Sequence, residues 1–138
     1  MTYEPLPAEV DWHDRTILIV EDVLPNFVFL QSALQKTQAK IVHSPNGNDA
    51  VKKCLEDTNI DLVLMDLHLP GMDGLAATRE IKRKRPDLIV IAHTAFVLSG
   101  ERKKSQEAGC DDYIAKPIRS NELIFKIRNC YIKAGKEA

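Results

Sequence analysis

The sequence predicts an α/β domain, a doubly wound five-stranded parallel sheet flanked by five helices. Three observations carry that prediction. Short apolar runs without polar alternation recur along the chain, as in Thr16-Ile17-Leu18-Ile19-Val20, Leu62-Val63-Leu64-Met65 and Leu88-Ile89-Val90-Ile91-Ala92, and that is how strands read when both faces are covered. Helical patterns separate these runs, so each strand is followed by a helix, and right-handed crossovers then make the sheet parallel. Finally, the runs end on polar residues, acids, a hydroxyl and an amine among them, and the carboxyl edge of an open α/β sheet is where ligands and chemistry collect.

The chain has 138 residues and a net charge of −1. That length suits one domain with a real core, and the balanced charge gives no strong pull toward nucleic acid or anionic membrane. No apolar run approaches the ~20 residues that would cross a bilayer, and Met1 to Arg15, acidic and proline-bearing, lacks the apolar centre of a signal peptide. A cytoplasmic setting is expected. Cys54, Cys110 and Cys130 share no Cys-x-x-Cys spacing and read as free thiols rather than a metal or disulfide set.

Residues 1–15 read as a leader or linker, with Trp12 packing on the domain's edge. The first strand, Thr16–Val20, ends on Glu21-Asp22. Pro25 suits a first helical turn, where its missing N–H costs nothing, and Phe27, Leu30 and Leu34 make that helix's inner stripe. Ala39–His43 is a short edge strand. Asn46 is the N-cap of a second helix whose apolar face is Ala50, Val51, Cys54 and Leu55. The third strand stops on Asp66, and Leu69-Pro70-Gly71-Met72-Asp73-Gly74 is a chain of turn and helix-start signals. A third helix, about Asp73–Lys84, turns Leu75, Thr78 and Ile81 inward, and its basic end, Lys82-Arg83-Lys84-Arg85, complements the helix dipole as a solvated terminus. The fourth strand ends at His93-Thr94-Ala95, with His93 read as a hydrogen-bonded structural histidine. Ser99 caps a polar fourth helix, Glu101–Ala108, which Gly109 ends. With almost no apolar stripe, it should be loosely held. A short fifth strand, Asp112–Ala115, runs into Lys116-Pro117, and the last helix, about Ser120–Lys133, turns Leu123, Ile124, Ile127 and Tyr131 inward.

Strand number and lengths fit the order 2-1-3-4-5. In that order the strands ending in Glu21-Asp22, Asp66, Thr94 and Lys116 lie side by side, and their polar ends converge on one cleft. Three carboxylates in one small space repel unless a cation neutralises them. A hard, oxygen-liganded ion such as Mg²⁺ meets that need. An ammonium and a hydroxyl suit the oxygens of a phosphoryl group, and an aspartate can itself attack phosphorus.

At this point the sequence resembles the receiver domains of two-component response regulators, through Ile-Leu-Ile-Val-Glu-Asp, Leu-Met-Asp-Leu-His-Leu-Pro-Gly-Met-Asp-Gly, His-Thr-Ala and Tyr-Ile-Ala-Lys-Pro, over roughly Thr16 to Lys133. The resemblance implies the flavodoxin-like receiver fold over 16–134, with 135–138 a tail. It implies that Asp66 is the phosphoacceptor, that Asp22 ligates Mg²⁺ (or Mn²⁺) directly, that Glu21 does so through water, and that Asp66 and the backbone carbonyl of His68 complete the set. Lys116 holds a phosphoryl oxygen, the Lys116–Pro117 bond is cis, and Thr94 and Tyr113 form a switch pair acting on the face of the fourth helix, fifth strand and fifth helix. The side chains of His68 and Phe96 fall where phosphate lifetime is tuned, His68 being equally readable as a solvent-facing loop residue. The implied partners are a histidine kinase or a histidine phosphotransfer protein, and a homodimer would form through the switch face. Nucleic acid and direct membrane insertion are not expected.

Such a domain is a phosphoacceptor that assists its own phosphorylation and dephosphorylation, not a turnover enzyme. A haloacid-dehalogenase-type phosphatase would want an aspartate where His68 stands. A flavodoxin-type FMN binder would want a phosphate loop where Glu21-Asp22 repels one. A scaffold that has lost phosphorylation would not keep the acids, threonine and lysine together. No DNA-binding or catalytic segment follows the last helix in these residues, which leaves the receiver of a hybrid histidine kinase, as Ala-Gly-Cys-Asp-Asp-Tyr-Ile-Ala-Lys-Pro-Ile suggests, or a stand-alone regulator acting by protein contact.

Overall fold

A computed structural model describes residues 10–95 and 100–136. Its elements alternate as β1 (Thr16–Val20), α1 (Leu24–Gln35), β2 (Lys40–Ser44), α2 (Gly47–Glu56), β3 (Leu62–Asp66), α3 (Gly74–Lys84), β4 (Ile89–Thr94), α4 (Glu101–Ala108), β5 (Asp112–Ala115) and α5 (Ser120–Lys133). All strand pairs are parallel, in the order β2-β1-β3-β4-β5. β1, β3 and β4 are buried along their whole length, as their unbroken apolar runs require, and each fully buried aliphatic side chain there is worth roughly 1.5–3 kcal/mol. β2 is only partly covered, in keeping with its edge position.

Strand parity sorts the core into two layers. Ile17, Ile19, Leu62, Leu64, Ile89, Ile91 and Ile114 meet α1 and α5 on one face. Leu18, Val20, Val63, Met65 and Val90 meet α2 and α3 on the other. Asn46 caps α2 by accepting the Asp49 N–H at 2.8 Å, and Asp73 caps α3 by accepting from Ala76 N at 2.8 Å. Gly109 closes α4 in the left-handed region at φ 109°, a conformation that glycine alone takes without a Cβ penalty. The Ser99 cap expected for α4 lies outside the described residues. Only Ser105 and Ala108 of α4 are buried, so that helix has the thin attachment its composition suggests.

Several side chains depart from the one-dimensional pattern. Leu55, expected on the inner face of α2, is 42% exposed, because the buried face of that short helix is already filled by Ala50 and Cys54. Leu75 is only half-buried. Trp12 is not at the edge but 1% exposed in the α1/α5 layer. Its ring meets Tyr131 edge-on at 5.5 Å, and its backbone N–H donates to Thr37 O at 2.7 Å. Tyr131 in turn donates its hydroxyl to Asp61 Oδ1 and lies under the Arg15 guanidinium.

The basic run ending α3 is also more than a solvated terminus. The Arg85 guanidinium donates to the carbonyls of Cys54 (2.9 Å), Ile60 (2.8 Å), Asp57 (3.4 Å) and Thr58 (3.4 Å), satisfying the orphan end of α2 from across the layer. Arg85→Ala should therefore cost about 1.5–3 kcal/mol in urea unfolding, the range for charged hydrogen bonds. Arg83, whose partner is the exposed Glu80, serves as the control, and Arg83→Ala should unfold like the parent. Equal stability of the two variants would reject the capping role. Among the described residues, no helix is long and apolar enough to cross a membrane.

Candidate functional site

β1 and β3 run in register, Val20 opposite Met65, and β3 and β4 pair Asp66 with His93. Glu21, Asp66 and His93 therefore stand at one level, on one face, at the carboxyl edge. Glu21 is 0% exposed, Asp66 4% and His93 0%. One ligand atom from each lies within 4.8 Å of the others. Lys116 reaches the same point from the end of β5. Its backbone N–H donates to Thr94 O at 2.8 Å, its Nζ stands 3.1 Å from Glu21 Oε1 and 3.7 Å from Asp66 Oδ2, and its bond to Pro117 is cis.

The two oxygens of Asp66 are distinguished by their partners. Oδ1 accepts the backbone N–H of His68 at 2.9 Å. Oδ2 faces the Lys116 ammonium. Glu21 is held similarly, Oε2 accepting Val23 N–H at 3.2 Å while Oε1 meets Lys116. Thr94 is fully buried at the end of β4, paired with Ala115, while Tyr113, on the neighbouring strand opposite Ala92, is half-buried. Burial first, then the nearby Glu101 carboxylate, raises the Tyr113 phenol above its ordinary value, so the ring is a neutral hydroxyl. The imidazole of His68 stands 3.1 Å from Glu101 Oε1, tying the loop after Asp66 to the first turn of α4.

Glu21, Asp66 and Lys116 thus come together at the edge where the sequence places the site, and Thr94 ends the neighbouring strand, joined to Lys116 through its backbone carbonyl. Asp22 is exposed and its carboxylate is not one of the three clustered groups. His68 faces outward and is paired rather than free in solvent. Phe96 lies outside the described residues.

His93 departs from its sequence reading. It is not held as a well-hydrogen-bonded structural histidine, because neither ring nitrogen makes a hydrogen bond of normal geometry among the described residues, only a weaker approach to the Val20 backbone. Strand parity was the available signal, since His93 follows Ile89 and Ile91 on the face that carries Asp66. Burial lowers its pKa from the ordinary 6.5 to about 4, with the Lys116 charge adding to the effect, while Glu21 and the Val20 backbone offset part of it. In the metal-free protein the folded pKa lies below the unfolded one. Stability is therefore full above pH 6.5 and falls as the pH drops toward 4, by about 3 kcal/mol in all for this one group. Urea unfolding in EDTA at pH 7.5, 6 and 5 should show part of that fall in the parent, about 2 kcal/mol by pH 5, and His93→Leu should be flatter by that amount. Equal slopes would refute it.

Two carboxylates and an unpartnered neutral imidazole within reach of one point form a donor set that can hold a divalent ion, and the ammonium at its rim suits an anion's oxygens. Comparison with known proteins agrees with this chemistry. A family model described as the response regulator receiver domain matches residues 17–128. The chain is 34% identical over 116 residues to the transcriptional regulatory protein ResD of Bacillus subtilis, spanning 84% of this chain and 48% of that protein. It is 35% identical over 112 residues to the sensor protein GacS of Pseudomonas syringae, spanning 78% of this chain but only 12% of GacS. It thus covers half or less of each of these relatives. Among solved structures, the receiver domain of the sensor histidine kinase PA1611 of Pseudomonas aeruginosa, which has a magnesium ion coordinated in its active site cleft, superposes with a TM-score of 0.77 at 33% identity, over 88% of this chain and 98% of that one.

Proposed function

Because this chain belongs to the response regulator receiver family, we propose that Asp66 accepts a phosphoryl group from a phosphohistidine and that the domain transmits the change through α4, β5 and α5. The observation that carries the proposal is the asymmetric holding of Asp66. One oxygen is tied down by the His68 N–H, and the other is aimed at an ammonium that a phosphoryl oxygen can claim. In the transfer, an Asp66 oxygen attacks phosphorus, the P–N bond breaks, and its electron pair returns to the donor imidazole. Lys116 exchanges Glu21 for a phosphoryl oxygen, and the Thr94 hydroxyl donates to another.

Glu21, Asp22, Asp66 and the His68 carbonyl would hold Mg²⁺ or Mn²⁺. When bound, such an ion offsets the charge of the carboxylates and the incoming phosphoryl group. Thr94 moving toward the phosphoryl group vacates space that the Tyr113 ring fills, and α4, which buries only Ser105 and Ala108 and is tied to the Asp66 loop by the His68–Glu101 pair, is able to follow. The ring of His68 stands beside the loop after Asp66, where access of water to the phosphate is set, and the family resemblance gives Phe96 the same role. The switch face is also where a homodimer would form.

The phosphodonor, a histidine kinase or phosphotransfer protein, must bring its imidazole against Asp66. An apolar strip on α1 and the loop before it, with Val23, Leu24, Val28 and Phe29 all at least 45% exposed, adjoins a cleft of about 310 Å³ lined by Phe29, Leu30, Lys116 and Pro117. That strip is the surface on which such a donor would dock. The likeness to GacS and to the PA1611 receiver supports placement in a hybrid histidine kinase, and the likeness to ResD supports the alternative, a regulator acting in its own right. In either setting we take residues 16–134 as the receiver unit, with 135–138 as tail and 1–15 as a leader whose Trp12 packs into the core.

The test is intact mass after incubation with acetyl phosphate. One phosphoryl adduct in Mg²⁺, absent in EDTA and cleaved by hydroxylamine, is the expected result. No adduct, and no beryllofluoride binding by the folded protein, would overturn the proposal.

A further inference from the structure

Receiver chemistry as described leaves one buried group unused. His93 is wholly enclosed, at the level of the phosphoacceptor, with both ring nitrogens unpaired among the described residues. We propose that His93 is a nitrogen ligand in the metal site, and that it turns the site from Mg²⁺ toward first-row transition ions such as Mn²⁺, Co²⁺ and Zn²⁺. This rests on the phosphoacceptor reading of the same site.

Cost is the first argument. A buried imidazole whose nearest acceptor, the Val20 backbone, falls short of a well-formed hydrogen bond gives up its hydration and recovers little. Leucine would fill the same volume at the end of a strand that reads Ile89-Val90-Ile91-Ala92 without that penalty. A polar group kept under such conditions is explained by a partner that comes and goes with conditions, and a metal ion is one.

Geometry is the second. A His93 nitrogen and one oxygen each from Glu21 and Asp66 already lie within 4.8 Å of one another. An ion about 2.0–2.2 Å from each donor would close that span by small side-chain movements. Lys116 now stands between the acids, but its side chain is 22% exposed and its flexible stem lets the ammonium move aside. His93 has no such freedom, so an ion that enters meets the imidazole where it stands.

Ligand chemistry is the third. A neutral imidazole offers the lone pair of one ring nitrogen to an ion. Mg²⁺ prefers oxygen ligands and retains several waters, whereas imidazole favours the later first-row ions. A site of two carboxylates alone would not make that distinction strongly.

The experiment loads the EDTA-stripped chain with Mn²⁺ and looks for electron spin-echo modulation from histidine nitrogen, comparing natural-abundance with ¹⁵N-histidine protein. Isothermal titration with Co²⁺ and Mg²⁺ accompanies it. We expect histidine modulation that persists in His68→Ala and His43→Phe and vanishes in His93→Leu. The preference for Co²⁺ over Mg²⁺ should drop at least about tenfold in His93→Leu, with Mg²⁺ affinity little changed. Should His93→Leu not fold, persistence in the other two variants still assigns the ligand, since the remaining histidine, His13, is exposed and paired with Asp11. Mn²⁺ bound without histidine modulation, while Mg²⁺ and beryllofluoride still bind, overturns the inference and leaves the phosphoacceptor reading intact. Failure to bind any divalent ion overturns both.

Discussion

Asp66→Asn should abolish phosphoryl uptake while leaving the fold in place. The amide keeps the size of the carboxylate, and its oxygen can still accept the His68 N–H that Oδ1 now accepts at 2.9 Å. What it loses is the charged nucleophile and half of the attraction for Lys116. A neutral amide in place of the attacking group costs roughly 10³-fold or more in rate, so no adduct should appear on the timescale that saturates the parent. Thermal stability should be unchanged or slightly raised. Asp66 sits 4% exposed beside the buried Glu21, and removing one of two like charges relieves repulsion that Lys116 only partly offsets. The paired readouts separate chemistry from folding. Loss of the adduct with an unchanged melt supports Asp66 as the acceptor, whereas an adduct persisting in Asp66→Asn would mean a different nucleophile.

Gly74→Ala should damage both the fold and the site, although it adds only one uncharged methyl group. An ideal Cβ at Gly74 would lie 2.1 Å from the carbonyl oxygen of Asp66, 2.7 Å from Leu67 Cα and 2.9 Å from Asp66 C. All three are backbone atoms of the turn that leaves β3, so none can swing aside as a side-chain end would. Relief requires α3 to back away from the turn. That movement would strain the Gly74 N–H to Leu67 O hydrogen bond (3.3 Å), which joins the helix to the turn. Overpacking of this kind costs about 3 kcal/mol or more, roughly a 10 °C fall in melting temperature for a domain of this size. Phosphorylation should slow as well, because the displaced atoms belong to Asp66 itself. A melt within a few degrees of the parent would show that helix and turn can separate freely, against the close approach described here.

Gly74 also marks a boundary in what could be read from the residues alone. Its place in Leu-Pro-Gly-Met-Asp-Gly announces a turn and a helix start, and Asp73 does cap α3. Nothing in that run says that the backbone of Asp66, eight positions earlier, passes within contact distance. Arg85 is similar. Read locally it is the last cation of a basic helix end, yet the carbonyls it holds belong to α2 and the loop beyond it. Trp12 falls before the first periodic strand and so reads as leader, and its burial depends on Tyr131, over a hundred residues later. Leu24, Val28 and Phe29 are apolar and exposed, which helical spacing cannot distinguish from a wider core face.

By itself, the sequence determined the element order, the parallel sheet and the convergence of Glu21, Asp66, Thr94 and Lys116 on one edge. Those features depend on local quantities, the period of the apolar pattern, the chemistry of caps and turns, and the residue at each strand's end. Only the tertiary structure decided that Glu21 rather than Asp22 is buried against Asp66, that His93 lies unpaired at the same level, and that Gly74 leaves no room for a side chain. The physical reason is that register, burial and closest approach are distances between segments far apart in the chain, and packing alone sets them.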